Sequence, residues 1–116
     1  AGSPPIRTFS TGATRDTARG KLDYDGFLSP LVIQRYAEYM HQHRLQADGT
    51  LRDSDNWQKG IPQDEYRKSA LRHLFEDWWP YGRGWPIKGD IEDAACAILF
   101  NVMGWLHERL KQKITS

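Results

Sequence analysis

Between residues 28 and 110 the apolar positions fall into three blocks with helical spacing, divided by polar breaks. In "LSPLVIQRYAEYMHQHRLQ" Ser29 can cap a helix whose first residue is Pro30, and Val32, Ile33, Tyr36, Ala37 and Met40 share one face. "ADGTLRDSDNWQKGIP" gathers Asp, Gly, Ser, Asn and Pro, which compete with helix through local side-chain bonds or special backbone angles, and it reads as a long polar loop. A second helix is predicted from about Gln63 to Trp79, with Leu71, Leu74, Phe75 and Trp78 on one face, before "PYGRGWP" breaks it. A third starts near Asp90 and reaches about Leu110. Residues 1–27 carry neither the helical nor the strand period and read as an irregular arm. With no strand pattern or internal repeat, the expected fold class is all-α: a small helical bundle over residues 28–116 with the N-terminal arm packed on it, one domain in all.

The third block, "DAACAILFNVMGWL", places one asparagine among apolar side chains. On a wheel of about 100° per residue, Asp90, Asp93, Ala97, Asn101, Gly104 and Glu108 share a sector of roughly 80°. The residues outside that sector between 94 and 106 are apolar, so this helix is expected to be buried on most sides, and Trp78, Trp85 and Trp105 are assigned to the core. An unpaired buried amide costs about 1–3 kcal/mol, which directs the stripe toward polar partners, water or a ligand. The alternative is that Asp90 is the N-cap, Asp93 its partner at the third helical position, and the stripe meets solvent.

Acidic groups recur on the polar faces of the other two helices. His73, Glu76 and Asp77 stand at i, i+3 and i+4, and Glu38 and His41 at i, i+3, each opposite the apolar face. Taken singly, each set is an ordinary solvated face. Together, three helices each offer a carboxylate, and carboxylate ligation suits Mg²⁺ or Mn²⁺.

Composition narrows the classes of partner. Sixteen basic and fifteen acidic residues leave a net charge of +1, so no global field favours nucleic acid. Arg15, Arg19 and Lys21 in the arm, Lys59 in the loop and Arg72 on the second helix are local candidates for phosphate oxygens. The single cysteine, Cys96, allows no internal disulfide and fits a reducing compartment, so the cytoplasm is the expected location, with no leader and no membrane partner. Five tryptophans and the apolar third helix exceed what a small bundle covers, which points to assembly of identical chains.

Four strings, "STGATRDTARGKLDYDGFLSP", "NWQKGIP", "SALRHLFEDW" and "EDAACAILFNVM", occur in an order that resembles the phage-associated dATP/dGTP diphosphohydrolase N-terminal domain family, a group similar to the MazG-like all-α nucleoside triphosphate pyrophosphohydrolases. The likeness runs from about Phe9 to Leu110, with Ala94 and Phe100 where relatives often carry His and Trp. It implies hydrolysis of a purine deoxynucleoside triphosphate, dGTP or dATP, to the monophosphate and pyrophosphate in the cytosol of a bacterial host. It also implies Mg²⁺ or Mn²⁺ held by Glu38, Glu76, Asp77 and Asp93 as the catalytic group. Arg15, Lys21, Lys59 and Arg72 would grip phosphates; Ser10, Thr11, Gly12, Asn56 and Trp57 would frame the nucleoside; His73 and Asn101 would complete the substrate contacts. Homodimers or homotetramers are implied as well. The competing reading is a helical module that binds a nucleotide without turning it over.

Overall fold

The computed structural model describes residues 6–8, 10–16 and 20–115. Arg19 lies outside them. Contacts group the chain into two compact units, residues 1–30 and 31–116.

In the first unit, strands β1 (Ile6–Thr8) and β2 (Thr14–Asp16) pair antiparallel, Ile6 opposite Asp16 and Thr8 opposite Thr14. Gly12, in the turn between them, has φ +87°, a conformation that glycine alone adopts readily. The arm is therefore more regular than its sequence suggests, because three-residue strands are too short to display an alternating pattern. A short helix follows, α1 (Tyr24–Phe27), whose start is capped by Asp23 accepting from the Gly26 N–H at 3.0 Å.

The remainder is helical, as the periodicity predicts. Helix α2 spans Pro30–Gln42. The polar loop after it is locally ordered: Leu45 bridges Leu51, the Thr50 N–H donates to the Asp48 carboxylate at 2.9 Å, and a 3₁₀ turn covers Asn56–Lys59. Helix α3 runs Gln63–His73 and continues through a π turn, Leu74–Trp78, into α4, Trp79–Gly82. The predicted break at Trp79 is thus displaced. A proline ring clashes with the carbonyl four residues back, here that of Glu76, and the wider turn, in which the Trp79 N–H reaches the Leu74 carbonyl, lets the chain pass Pro80 while still helical. Helix α5 spans Ile91–Thr115, and Asp90 caps it by accepting from the N–H groups of Glu92 (2.6 Å) and Asp93 (3.2 Å).

The core lies where α3 meets α5, and it inverts the expected faces of α5. Ala94, Cys96, Ala97, Asn101, Gly104 and Glu108 are the buried residues of this helix, so the narrow stripe of small and polar groups faces the protein and not solvent. Small side chains there let the helices approach closely: a Cβ on Gly104 would overlap the ring of Tyr66, which is only 1% exposed. Tyr66 also meets Phe100 edge-on, with centroids 5.7 Å apart. Leu99, Val102, Met103, Trp105, Leu106 and Leu110 are left on the exposed side of α5. Trp78, Trp85 and Trp105, assigned above to the core, are 51%, 68% and 39% exposed, since the buried positions are taken by Tyr66 and by the small residues of α5. Among the described residues no helix is long and apolar enough to cross a membrane.

Candidate functional site

Two adjoining cavities open beside α2 within the second unit. The larger, of about 470 Å³, is bounded by the end of α2 (Tyr39, Met40, His41), by His43 and Arg44 just beyond it, by Arg52, Asp53, Ser54, Asn56 and Trp57 of the loop, and by Phe100 of α5. The 3₁₀ turn that begins at Asn56 seats Trp57 edge-on against Phe100 and His107, at centroid distances of 6.3 and 4.8 Å. The cavity therefore combines aromatic walls with both donors and acceptors.

The smaller cavity, of about 280 Å³, is lined by Tyr39, His43, His73, Asp77, Lys88, Asp90 and Asp93. Tyr39 and His43 line both cavities and form the wall between them. Their rings stack with centroids 4.1 Å apart, and His43 Nδ1 donates to the Tyr39 carbonyl at 2.8 Å, one turn back. Burial pushes the Tyr39 hydroxyl above its ordinary pKa, with the nearby Asp93 carboxylate adding to the effect, so the ring stays neutral.

The acidic side of the smaller cavity is built from two helical segments. Across the π turn, His73 Nδ1 lies 3.0 Å from Asp77 Oδ2. From the first turn of α5, Asp93 Oδ1 accepts from Arg35 Nη2 at 2.7 Å, while Arg35 Nε donates to Glu92 Oε1 at 2.8 Å. Asp90 Oδ1 stands 3.9 Å from the same guanidinium. Hydrogen bonds to Asp93 and then to Glu92 raise the pKa of Arg35 further above its already high value.

Of the residues singled out from the sequence, Asp77, Asp93 and His73 thus meet in one cavity, with Asn56 and Trp57 in its neighbour. The others are placed elsewhere. Glu38 and Glu76 are exposed and line neither cavity, Glu38 accepting from Gln34 at 3.4 Å. Arg72 is exposed and donates to Ser69, and Lys59 is exposed at the end of the 3₁₀ turn. Ser10, Thr11, Gly12, Arg15 and Lys21 belong to the N-terminal unit, where each is exposed. Asn101 is buried beside Tyr66, its amide donating to the Ala97 carbonyl of its own helix at 2.7 Å. It lines a separate, largely apolar cavity of about 270 Å³ and not the acidic one, so the substrate contact expected of it has no geometric support.

Arg35, Tyr39, His43 and Lys88 escaped the sequence reading. The stacked Tyr39–His43 pair at i, i+4 was readable from spacing, but the Arg35–Asp93 pairing joins residues 58 apart and has no local signature.

Carboxylates are the right donors for Mg²⁺ or Mn²⁺, yet the four-residue ligand set does not fit one ion in this arrangement. Glu38 and Glu76 are absent from the cavity, Asp93 is bound to Arg35, and Asp77 to His73. Among the described residues no three His, Cys, Asp or Glu side chains stand close enough together to hold a metal ion.

Comparison of the chain with family models, with curated proteins and with solved structures finds no match.

Proposed function

We propose that the chain binds a purine nucleoside triphosphate across the two cavities and hydrolyses it to the monophosphate and pyrophosphate. The observation that carries this reading is the shared Tyr39–His43 wall, which joins an aromatic cavity to one lined by a His–carboxylate pair and further titratable groups. A nucleotide divides the same way, into a flat base that stacks and a charged chain that reacts. The larger cavity falls within the size range of small-ligand sites. Trp57 supplies a face for the base, and Asp53, Ser54 and Asn56 supply polar edges. With Nδ1 of His73 held by Asp77, the other ring nitrogen, Nε2, is the one left to take a proton from a water attacking phosphorus. Lys88 on the cavity rim offers charge to phosphate oxygens.

The order of the four sequence strings supports the purine triphosphate and the Mg²⁺ or Mn²⁺ requirement, which belongs to the proposal. The exposed apolar side of α5 supports assembly into a homodimer or homotetramer, and the balanced net charge and Cys96 support a cytoplasmic protein without a nucleic-acid partner. Nucleotide binding without turnover is the second reading, favoured by one observation: Arg35 already occupies Asp93.

Incubating the purified protein with dGTP, dATP and their ribonucleotide counterparts in Mg²⁺ or Mn²⁺, with product identification, separates the two. Monophosphate plus pyrophosphate is expected; binding with no product from any triphosphate establishes the second reading.

A further inference from the structure

The larger cavity carries opposite charges that do not neutralise each other. Arg44 and Arg52 line it together with Asp53, yet among the described residues neither arginine forms an ion pair with Asp53 or with any other carboxylate. Two bonds hold Arg44 in place. The Arg52 N–H donates to the Arg44 carbonyl at 2.8 Å, and Arg44 Nε donates back to the Arg52 carbonyl, also at 2.8 Å. With Nε engaged, the donors left to Arg44 are those of its Nη atoms. Asp53 is fixed through its backbone, its carbonyl accepting from the Asn56 N–H at 3.0 Å where the 3₁₀ turn begins, while its carboxylate has no hydrogen-bond partner among the described residues. A ligand that satisfies this cavity presents a flat face to Trp57, acceptors to a guanidinium and a donor to a carboxylate.

We propose that the larger cavity selects a 6-oxopurine over a 6-aminopurine: Arg44 donates to O6 and N7 of the base, and Asp53 accepts from its N1–H. The inference rests on the reading that the base enters this cavity, and it narrows the substrate to triphosphates of guanine or hypoxanthine. O6 and N7 are adjacent acceptors on one edge of the ring, the pair that an arginine fork engages bidentately. The neighbouring edge carries the N1 proton, and in guanine the 2-amino group offers the same carboxylate a second donor. Adenine in that orientation sets like against like. Its 6-amino group points N–H bonds at the guanidinium, and its N1 lone pair faces the carboxylate, so both protein groups go unmatched. A phosphate group would also suit the arginines, but it has no donor for Asp53 and is repelled by it. Arg44 and Asp53 are thus specificity-determining residues, and the charge that neither has satisfied within the chain is what the base supplies.

The test is calorimetric titration of the α,β-imido triphosphates of deoxyguanosine, deoxyinosine and deoxyadenosine into the wild-type chain, Asp53→Asn and Arg44→Gln. The wild-type chain is expected to bind the guanine and hypoxanthine analogues at least about tenfold tighter than the adenine one, and each variant to bring that ratio to within about threefold of unity. Equal affinity of the wild-type chain for the three bases overturns the proposal, and this comparison needs no variant to fold. So does a folded Asp53→Asn that binds all three analogues more tightly while keeping the wild-type ratio, the result expected if the arginines hold phosphate and the carboxylate merely repels it. Turnover of dGTP and dATP at equal kcat/KM removes this inference and leaves the hydrolase reading standing. Selective binding of the 6-oxopurine analogues with no product from any triphosphate keeps this inference and removes hydrolysis; binding of none of the analogues overturns both.

Discussion

The aromatic ring of Tyr66 lies against Gly104 so closely that the α3–α5 contact has no room for a β-carbon. Tyr66 is the largest fully buried side chain among the described residues, and Gly104 is what lets it lie across the helix. Gly104→Ala forces the ring or the helix to shift, with an expected loss of about 1–3 kcal/mol in denaturant unfolding. In a Tyr66→Leu background the same substitution should cost much less, since the atoms it meets are gone; equal costs in both backgrounds contradict the packing described.

Asn101 sits on the same buried stripe, with its amide on the Ala97 carbonyl. Because it faces Tyr66 and not the acidic cavity, Asn101→Leu is expected to leave nucleotide binding unchanged and to alter stability by less than about 1.5 kcal/mol. Loss of nucleotide affinity in a stably folded Asn101→Leu protein contradicts that placement.

The exposed side of α5 carries Leu99, Val102, Met103, Trp105, Leu106 and Leu110, a run of apolar surface on one helix. Light scattering is expected to give a mass of two or four times 13.4 kDa for the wild-type chain, and Leu106→Glu to shift it toward a single chain. A monomeric wild-type protein at tens of micromolar removes the assembly proposal.

Alkaline pH should unfold the protein in a definite direction. Burial pushes Tyr36 from 10.0 up to about 12, and raises Tyr39, Tyr66 and the Cys96 thiol in the same sense. A raised acid binds its proton more tightly in the folded state, so the stabilisation from Tyr36 is complete below its unfolded value and is lost as pH rises from about 10 to about 12. Unfolding midpoints in urea are expected to fall across that window, less so in Tyr36→Phe; a flat profile contradicts the assignment.

Helix existence and type were legible in the sequence because amphipathic spacing repeats over several turns, and the Asp90 cap was legible because its signal is local. Besides the short strands and α1 of the arm, two features of the helical part were not. The buried face of α5 was assigned from hydrophobicity, whereas close helix approach selects small side chains, so Gly104 and Ala97 mark the contact and Leu106 and Trp105 do not. The passage of the chain through Pro80 depends on a π turn, which leaves no mark on a wheel drawn at 3.6 residues per turn. At the site, Asp77, Asp93 and His73 were recognisable by residue type, but the guanidinium that partners Asp93 comes from a helix distant in sequence.

Nuclear magnetic resonance with an α,β-imido analogue of dGTP tests most directly whether the two cavities work as one nucleotide site. Signals of Trp57 in the larger cavity, of Tyr39 and His43 in the shared wall, and of His73 and Asp77 in the smaller cavity are expected to move together and saturate with a single affinity. Saturation confined to one cavity, or no movement of any of them at millimolar analogue, contradicts it.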